Sequence, residues 1–163
     1  MIISSISFLG IPKNYAVVDK YVSRSAQPLK DDFSWLKDNG VTDIINFRTM
    51  YAPGINFDEK TVVEDLGMNY HNIPSSTNNP DEKNIRKFLN IVNKIKEKSG
   101  KVHIHCMAGA DRTGMYAFIY KTLNSIGLTQ ENEAEWIRMG HDKERYPDLI
   151  SRTKIILKNL ISD

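Results

Sequence analysis

Hydrophobic and polar positions along the 163-residue chain follow two periods, one typical of strands and one typical of helices. Short runs rich in β-branched and aromatic residues predict strands at 15–18, 21–25, 41–47, 68–73 and 102–105. Residues 1–10 are apolar but carry no early positive charge, since the first cation is Lys13. They therefore predict a further strand or packed arm of the mature protein, not a signal peptide.

Apolar residues spaced three and four apart predict amphipathic helices between these strands. One helix begins at Asp31-Asp32 and stops at Asn39-Gly40, and others span 58–66 and 115–126. A long helix begins at Pro80-Asp81, one with Thr129 as its N-cap reaches residue 139, and Pro147 lies in the first turn of a last helix ending near 161. Alternating strands and helices predict an α/β fold, a three-layer sandwich whose mostly parallel central sheet is flanked by helices.

Composition narrows the class of protein. The 40% of apolar residues can form a core, and the 26% of charged residues can form a solvated surface. The length fits one domain, expected to span residues 1–163. A net charge of +2 gives no reason to expect a nucleic-acid partner, and no apolar run is long enough to span a membrane. The single cysteine, Cys106, excludes an intrachain disulfide and favours a cytoplasmic location.

The surroundings of Cys106 are unlike those of a buried structural cysteine. The run from Val102 to Gly114 reads VHIHCMAGADRTG, so a strand ends at a thiol and a helix follows shortly after Arg112. Backbone N–H groups of residues 107–112 and the positive end of that helix can bind a phosphate. Arg112 adds a planar guanidinium, and the same positive field favours the nucleophilic thiolate of Cys106.

These features predict a phosphomonoester hydrolase with Cys106 as nucleophile and Arg112 as a catalytic phosphate ligand. Substrate-binding positions are Met107, Ala108, Gly109, Ala110 and Thr113, and glycine at 109 permits close approach of the backbone. Thr113 is expected to hydrogen-bond the sulfur or assist a water in the second step. His105 is expected to orient the loop. No clustering of ligand residues indicates a metal, and no cofactor is expected.

The run His105-Cys106-x5-Arg112-Thr113-Gly114 resembles the signature loop of the cysteine-dependent protein tyrosine phosphatase superfamily, in its dual-specificity branch. The stretches YVSRSAQP (21–28) and GVTDIINFR (40–48) resemble small bacterial and fungal phosphatases of the atypical dual-specificity kind. The resemblance covers about residues 14–125. It implies the phosphatase sandwich, a thiophosphoryl-enzyme intermediate and no metal.

The general acid is where the sequence departs from this family, which usually supplies an aspartate from a loop some thirty residues before the cysteine. Residues 73–79 contain no carboxylate. The candidates are Asp111, inside the loop, and Asp81, at the start of the long helix; each could instead be a helix-terminus carboxylate. Three further residues, Arg24, Gln27 and Arg48, either line the phosphate mouth or brace loops, and Tyr51, Arg145 and Tyr146 are candidates for the substrate rim.

Several functions remain open at this stage. The first is a protein tyrosine or dual-specificity phosphatase, a monomer acting on phosphorylated protein or a small phosphomonoester. The second is an inositol phosphate or phosphoinositide phosphatase, which the absence of lysine at positions 107–111 disfavours. A non-catalytic phosphate-binding module and a rhodanese-type sulfurtransferase fit less well, because the thiol, Arg112 and Thr113 are all present.

Overall fold

The computed structural model describes residues 10–49 and 54–163. Five short strands form one sheet: β1 (Ala16–Val17), β2 (Val22–Ser25), β3 (Asp43–Asn46), β4 (Asn69–Asn72) and β5 (Val102–His105). Every residue of β2, β3 and β5 is buried, as expected for strands covered on both faces. The five predicted strands are therefore confirmed, each trimmed at its ends by up to two residues, while the interpretation of residues 1–9 falls outside the described part.

The sheet order is β1-β2-β5-β3-β4. Strand β1 is antiparallel to β2, and all other neighbours are parallel. In this register Ser25, Asn46 and His105 lie side by side at the carboxyl ends of their strands. The segments that follow β2, β3 and β5 consequently meet beyond the carboxyl ends of these strands, where ligands bind in parallel α/β folds.

Six helices connect and cover the strands: α1 (Asp32–Asp38), α2 (Glu59–Asp65), α3 (Glu82–Glu97), α4 (Arg112–Leu123), α5 (Thr129–Arg138) and α6 (Leu149–Ser162). Helices α1 and α2 pack on one face of the sheet, around Phe33, Ile44 and Val63. Helices α3 to α6 pack on the other face. The predicted three-layer sandwich with a mostly parallel sheet is thus confirmed. No helix in the described ranges combines the length and apolar character needed to cross a bilayer.

Three helix starts differ from the sequence expectation. Helix α4 begins at Arg112, three residues before the predicted start. Its first turn is polar because it forms the end of the loop after Cys106, so the apolar pattern does not show it. Thr129 is the first helical residue of α5, not its N-cap, and Glu131 accepts the N–H of the preceding Leu128 at 3.1 Å. Pro147 lies in a turn two residues before α6 instead of in its first turn.

Gly114 in the first turn of α4 is required by the packing of α5. A Cβ at this position would lie 2.1 Å from Cδ1 of Trp136, which is itself 1% exposed. We expect Gly114→Ala to lower the free energy of unfolding by about 1–3 kcal/mol, because the indole has no room to move. Thermal and urea denaturation measure this loss. The double variant with Trp136→Phe, which lacks the colliding five-membered ring, should recover part of it; strict additivity would contradict the clash.

Candidate active site

The loop between β5 and α4 is held open by donors from outside it. The Met107 carbonyl accepts the backbone N–H of Gln27 at 3.0 Å, and the Gly109 carbonyl accepts Nη2 of Arg24 at 2.8 Å. The Asn14 side chain donates to the carbonyls of Ala108 and Gly109 at 3.3 and 3.4 Å. Each of these carbonyls therefore points away from the centre of the loop.

Outward carbonyls turn the next N–H groups inward. All peptide bonds in the described residues are trans, so the N–H after each carbonyl points to the opposite side. The N–H groups of residues 108–110 are thereby turned toward the loop centre, and α4 begins immediately afterwards with its own unpaired N–H groups. Among the described residues, none of the N–H groups of 107–111 donates to a backbone acceptor. The arrangement is an anion-binding nest at a helix N-terminus.

Gly109 is the residue that makes this path possible. Its φ is +70°, a left-handed conformation that L side chains rarely adopt. A Cβ there would lie 2.4 Å from both the nitrogen of Ala26 and the carbonyl carbon of Ser25. The loop therefore packs directly on the backbone that follows β2, as the sequence predicted for a glycine allowing close approach.

Cys106 is 2% exposed and lies near positively charged side chains. Arg112 sits at the loop end, with Nη1 3.5 Å from the carbonyl oxygens of Phe47 and Ser75. Burial lowers the pKa of Arg48, and the charge of Arg112 lowers it further, while Glu59 and Cys106 act in the opposite direction. Arg24 and Arg48 both interact electrostatically with Cys106, and helix α4 begins at Arg112, at the end of the same loop.

His105 orients the loop, as predicted. Its Nδ1 donates to the Cys106 carbonyl at 3.1 Å, and its Nε2 lies 2.9 Å from Oε2 of buried Glu59. Burial raises the pKa of Glu59, but the charge and hydrogen bonds of His105, with help from Gln27 and Arg48, lower it more, so its net pKa is depressed. His105 therefore links buried Glu59 to the Cys106 carbonyl, and a carbonyl held toward His105 leaves the N–H of Met107 on the opposite side of the peptide plane.

Arg24, Gln27 and Arg48 brace the loops. Gln27 donates Nε2 to Glu59 at 2.6 Å and accepts Nη1 of Arg48 at 2.9 Å. Arg24, 1% exposed, lies behind the loop with Nη1 4.0 Å from Glu135. Desolvation lowers the pKa of Arg24, partly offset by the charge of Glu135. Of the two interpretations open from the sequence, bracing is therefore the one that the contacts favour.

Asp111 is bound to the segment between α5 and α6. Its Oδ1 accepts Nδ1–H of His141 at 2.7 Å and the backbone N–H of Asp142 at 3.0 Å. Asp111 occupies the N-cap position of α4, as its structural interpretation predicted, but its side chain makes no capping hydrogen bond to the helix. The backbone N–H groups of α4 remain directed at the loop.

Asp81 caps helix α3, as its structural interpretation predicted. Its side chain is exposed and accepts the N–H of Lys83 at 2.8 Å. This contact accounts for a carboxylate at the start of a long helix. It leaves Asp111 as the carboxylate that lies within the loop.

The remaining candidates differ in position. Thr113 is fully buried, but its Oγ1 has no hydrogen-bond partner among the described residues, so the expected bond to the sulfur is absent. Met107 is 60% exposed at the loop. Tyr51 lies outside the described residues, and Arg145 packs over the ring of Tyr146 at 5.4 Å.

Four bracing residues escaped sequence reasoning: Asn14, Glu59, Ser75 and His141. They reach the site from distant parts of the chain, as shown by the separation of 46 residues between Glu59 and His105. The left-handed φ of +54° at Asn14 is compatible with an asparagine, but no local pattern marks it as a loop ligand. No set of three or more metal-ligating side chains in the described part of the chain is arranged to hold a metal ion.

Comparison with known proteins agrees with this geometry. A family model described as "Tc-R-P: Polymorphic toxin system, DSP-PTPase phosphatase" matches residues 19–123. No curated protein matches the chain. A solved DUF442 protein from Shewanella putrefaciens CN-32 is 24% identical with a TM-score of 0.74, and the match covers 98% of this chain and 96% of that one.

Two other solved structures share the fold. TpbA of P. aeruginosa is 19% identical with a TM-score of 0.73, covering 93% of this chain and 92% of that one. A variant of TpbA has been solved in complex with pTyr. The core catalytic domain of SIW14 from S. cerevisiae, a PP-IP phosphatase, is 24% identical with a TM-score of 0.66, covering 81% of this chain and 78% of that one.

Proposed function

The chain belongs to the DSP-PTPase phosphatases of polymorphic toxin systems, and from that membership we propose that it hydrolyses phosphotyrosine in proteins through a phosphorylated Cys106. It is a cysteine-dependent phosphatase of the dual-specificity type. The single observation that carries the assignment of its site is the nest of inward N–H groups between Cys106 and Arg112, opening onto the start of α4.

In the first step the Cys106 thiolate attacks phosphorus in line with the leaving oxygen. The S–P bond forms as the P–O bond to the substrate breaks. The N–H groups of Met107, Ala108, Gly109 and Ala110, with the Arg112 guanidinium, bind the non-bridging oxygens, whose charge they stabilise in the transition state. Asp111 transfers a proton to the leaving oxygen, so that the substrate departs as a neutral alcohol or phenol.

In the second step a water attacks the phosphorus of the thiophosphoryl group. The S–P bond breaks and its electron pair returns to sulfur, while the water gives a proton to the Asp111 carboxylate. The buried hydroxyl of Thr113 is assigned to holding this water, in keeping with its lack of a partner among the described residues. The cycle regenerates both the thiolate and the protonated acid, so it consumes only water.

Phosphotyrosine is favoured over highly charged substrates by the residues at the mouth. Exposed Met107 offers an apolar contact for an aromatic ring, and the residues between Cys106 and Arg112 include no lysine. The complex of TpbA with pTyr supports this choice by analogy. An inositol phosphate substrate is the alternative, supported by the proximity of Arg48 to Arg112 and, by analogy, by the similarity to the PP-IP phosphatase SIW14.

We also propose that residues 1–163 form one phosphatase domain that acts as a monomer in the cytoplasm. The two core clusters cover opposite faces of the same sheet, which supports a single domain. A reducing compartment suits an enzyme whose single cysteine must stay a thiol.

A substrate panel in chelator-containing buffer tests this function. It compares phosphotyrosine and phosphothreonine peptides, para-nitrophenyl phosphate and inositol phosphates. We expect the highest kcat/KM for the phosphotyrosine peptide and rates unchanged by the chelator. A preference for inositol phosphates would overturn the substrate assignment, and thiocyanate release from thiosulfate and cyanide would favour a sulfurtransferase.

The role of Asp111 is tested by Asp111→Asn. We expect kcat to fall about 10²–10³-fold on a phosphotyrosine peptide, whose phenol has a pKa of about 10 and needs a proton to leave. The loss should be under about tenfold on an aryl phosphate with a strongly acidic phenol. Steady-state kinetics on both substrates measure the split.

The matched control is Asp81→Asn, which changes an exposed carboxylate to another good helix cap. We expect both rates to stay at the wild-type value in this variant. Equal losses on the two substrates in Asp111→Asn would instead assign Asp111 a purely structural role.

A further inference from the structure

A buried histidine, His141, contacts the carboxylate of Asp111 in the loop. The His141 side chain is 1% exposed and lies in the segment between α5 and α6. Its Nδ1 is 2.7 Å from Oδ1 of Asp111, and the N–H of Asp142 donates to the same oxygen at 3.0 Å. The side chain of Asp111 is 18% exposed, so this carboxylate is held from the protein side and open on the other.

The two contacts divide the roles of the carboxylate oxygens. Oδ1 accepts two hydrogen bonds, and Oδ2 has no hydrogen-bond partner among the described residues. We propose that His141 is the positioning residue of the acid: it fixes Oδ1 so that Oδ2 of Asp111 carries the proton to the leaving oxygen. This inference rests on the proposed role of Asp111 and adds to it the group that sets its geometry.

His141 is itself held rigidly. Its ring packs on Trp136, with ring centroids 5.0 Å apart, and Trp136 also contacts Phe118 of α4, with centroids 5.6 Å apart. Because Trp136 lies against Gly114 in the first turn of α4, the position of the histidine is fixed relative to the helix that follows the phosphate loop. A rigid support of this kind suits a donor that must define one rotamer of its partner.

The segment that carries His141 is docked to the loop at two further points. The Asn14 side chain donates to the Met139 carbonyl at 3.1 Å while it also donates to two loop carbonyls. A Cβ on Gly140 would lie 3.4 Å from Cβ of Ala110, in van der Waals contact. Residues 139–142 are therefore held against the loop that carries Asp111.

The expected contribution of this positioning is large. A misplacement of about 1 Å at a reacting group costs on the order of 10²-fold in rate. Without the histidine donor, Asp111 retains only the N–H of Asp142 and gains freedom about its side-chain torsions. The proton would then be offered from many orientations, most of which do not face the leaving oxygen.

The test compares His141→Leu with His141→Asn. Leucine fills a similar volume without a donor, whereas an asparagine amide places an N–H near the position of Nδ1. We expect His141→Leu to lower kcat about 10- to 100-fold on a phosphotyrosine peptide, with KM nearly unchanged and little loss on an aryl phosphate with an acidic phenol. We expect His141→Asn to restore most of the lost kcat.

His71→Leu is the matched control. His71 also bonds an aspartate, with Nε2 2.9 Å from Oδ1 of Asp43, but this pair lies at β3 and β4, with Asp43 at the amino end of β3. Removing it should leave both rates unchanged. Thermal denaturation and phosphate binding of each variant show that the fold and the nest persist.

The outcomes separate this inference from the proposed function. Equal losses on both substrates in His141→Leu, or no rescue by asparagine, would overturn the positioning role while leaving the acid in place. If Asp111→Asn itself shows no dependence on the leaving group, the acid assignment fails and the inference fails with it. Phosphatase activity dependent on Cys106 would survive either result.

Discussion

Replacing Cys106 with serine is expected to reduce turnover by on the order of 10⁵–10⁶-fold, the scale seen when an enzyme loses its nucleophile. A serine hydroxyl at this position has no base to remove its proton, whereas a thiol loses its proton far more readily than an alcohol and is the better nucleophile. Steady-state hydrolysis of a phosphotyrosine peptide measures the loss.

Binding should survive the same substitution. The inward N–H groups and Arg112 do not depend on the sulfur, so we expect the Kd of Cys106→Ser for inorganic phosphate, measured by calorimetry, to stay within about threefold of the wild-type Kd. Unchanged melting temperature would confirm the fold. Substantial residual turnover in Cys106→Ser would contradict the assignment of the nucleophile.

Arg112→Lys is expected to lower kcat/KM by about 10²–10³-fold, the second largest effect. A guanidinium presents two parallel N–H groups to two phosphate oxygens, and an ammonium is a point charge that cannot reproduce this fork. The charge is conserved, so the loss measures geometry. Both kcat and KM should worsen, because the arginine binds the substrate and the transition state.

Arg86→Lys is the matched control for this substitution. Arg86 is an exposed residue of α3 that pairs with Glu82 at 2.8 Å, and we expect its replacement to leave kcat/KM unchanged. Wild-type activity in Arg112→Lys would show that charge alone suffices at this position.

The fold and the loop could be predicted because their signals are local. Strands β3 and β5 are buried on both faces and carry isoleucine or valine at alternate or adjacent positions, so their positions follow from the sequence. The loop from Cys106 to Arg112 is continuous in sequence. Its thiol is suited to act as a nucleophile, its glycine to allow a tight backbone path, and its arginine to bind phosphate. Placing Cys106 at the carboxyl end of β5 follows from these two facts.

The supports of the site could not be predicted, because tertiary packing brings them in from elsewhere. Asn14 lies 94 residues from the carbonyl that it binds, and His141 lies 30 residues from Asp111. Nothing in the periodicity of their own segments marks them. The apolar pattern predicts the start of α4 at Met115, whereas the helix begins at Arg112. The first turn is polar because its N–H groups belong to the loop, so hydrophobic periodicity does not reveal it.

The central claim is that phosphate passes through a covalent bond to Cys106, and stereochemistry at phosphorus tests it most directly. The measurement transfers the phosphoryl group of an isotopically chiral aryl phosphate to an alcohol acceptor in place of water. Two in-line displacements, first by the Cys106 thiolate and then by the acceptor, predict overall retention of configuration. Inversion would mean a single direct displacement, and it would contradict the thiophosphoryl intermediate whatever the rates of the variants.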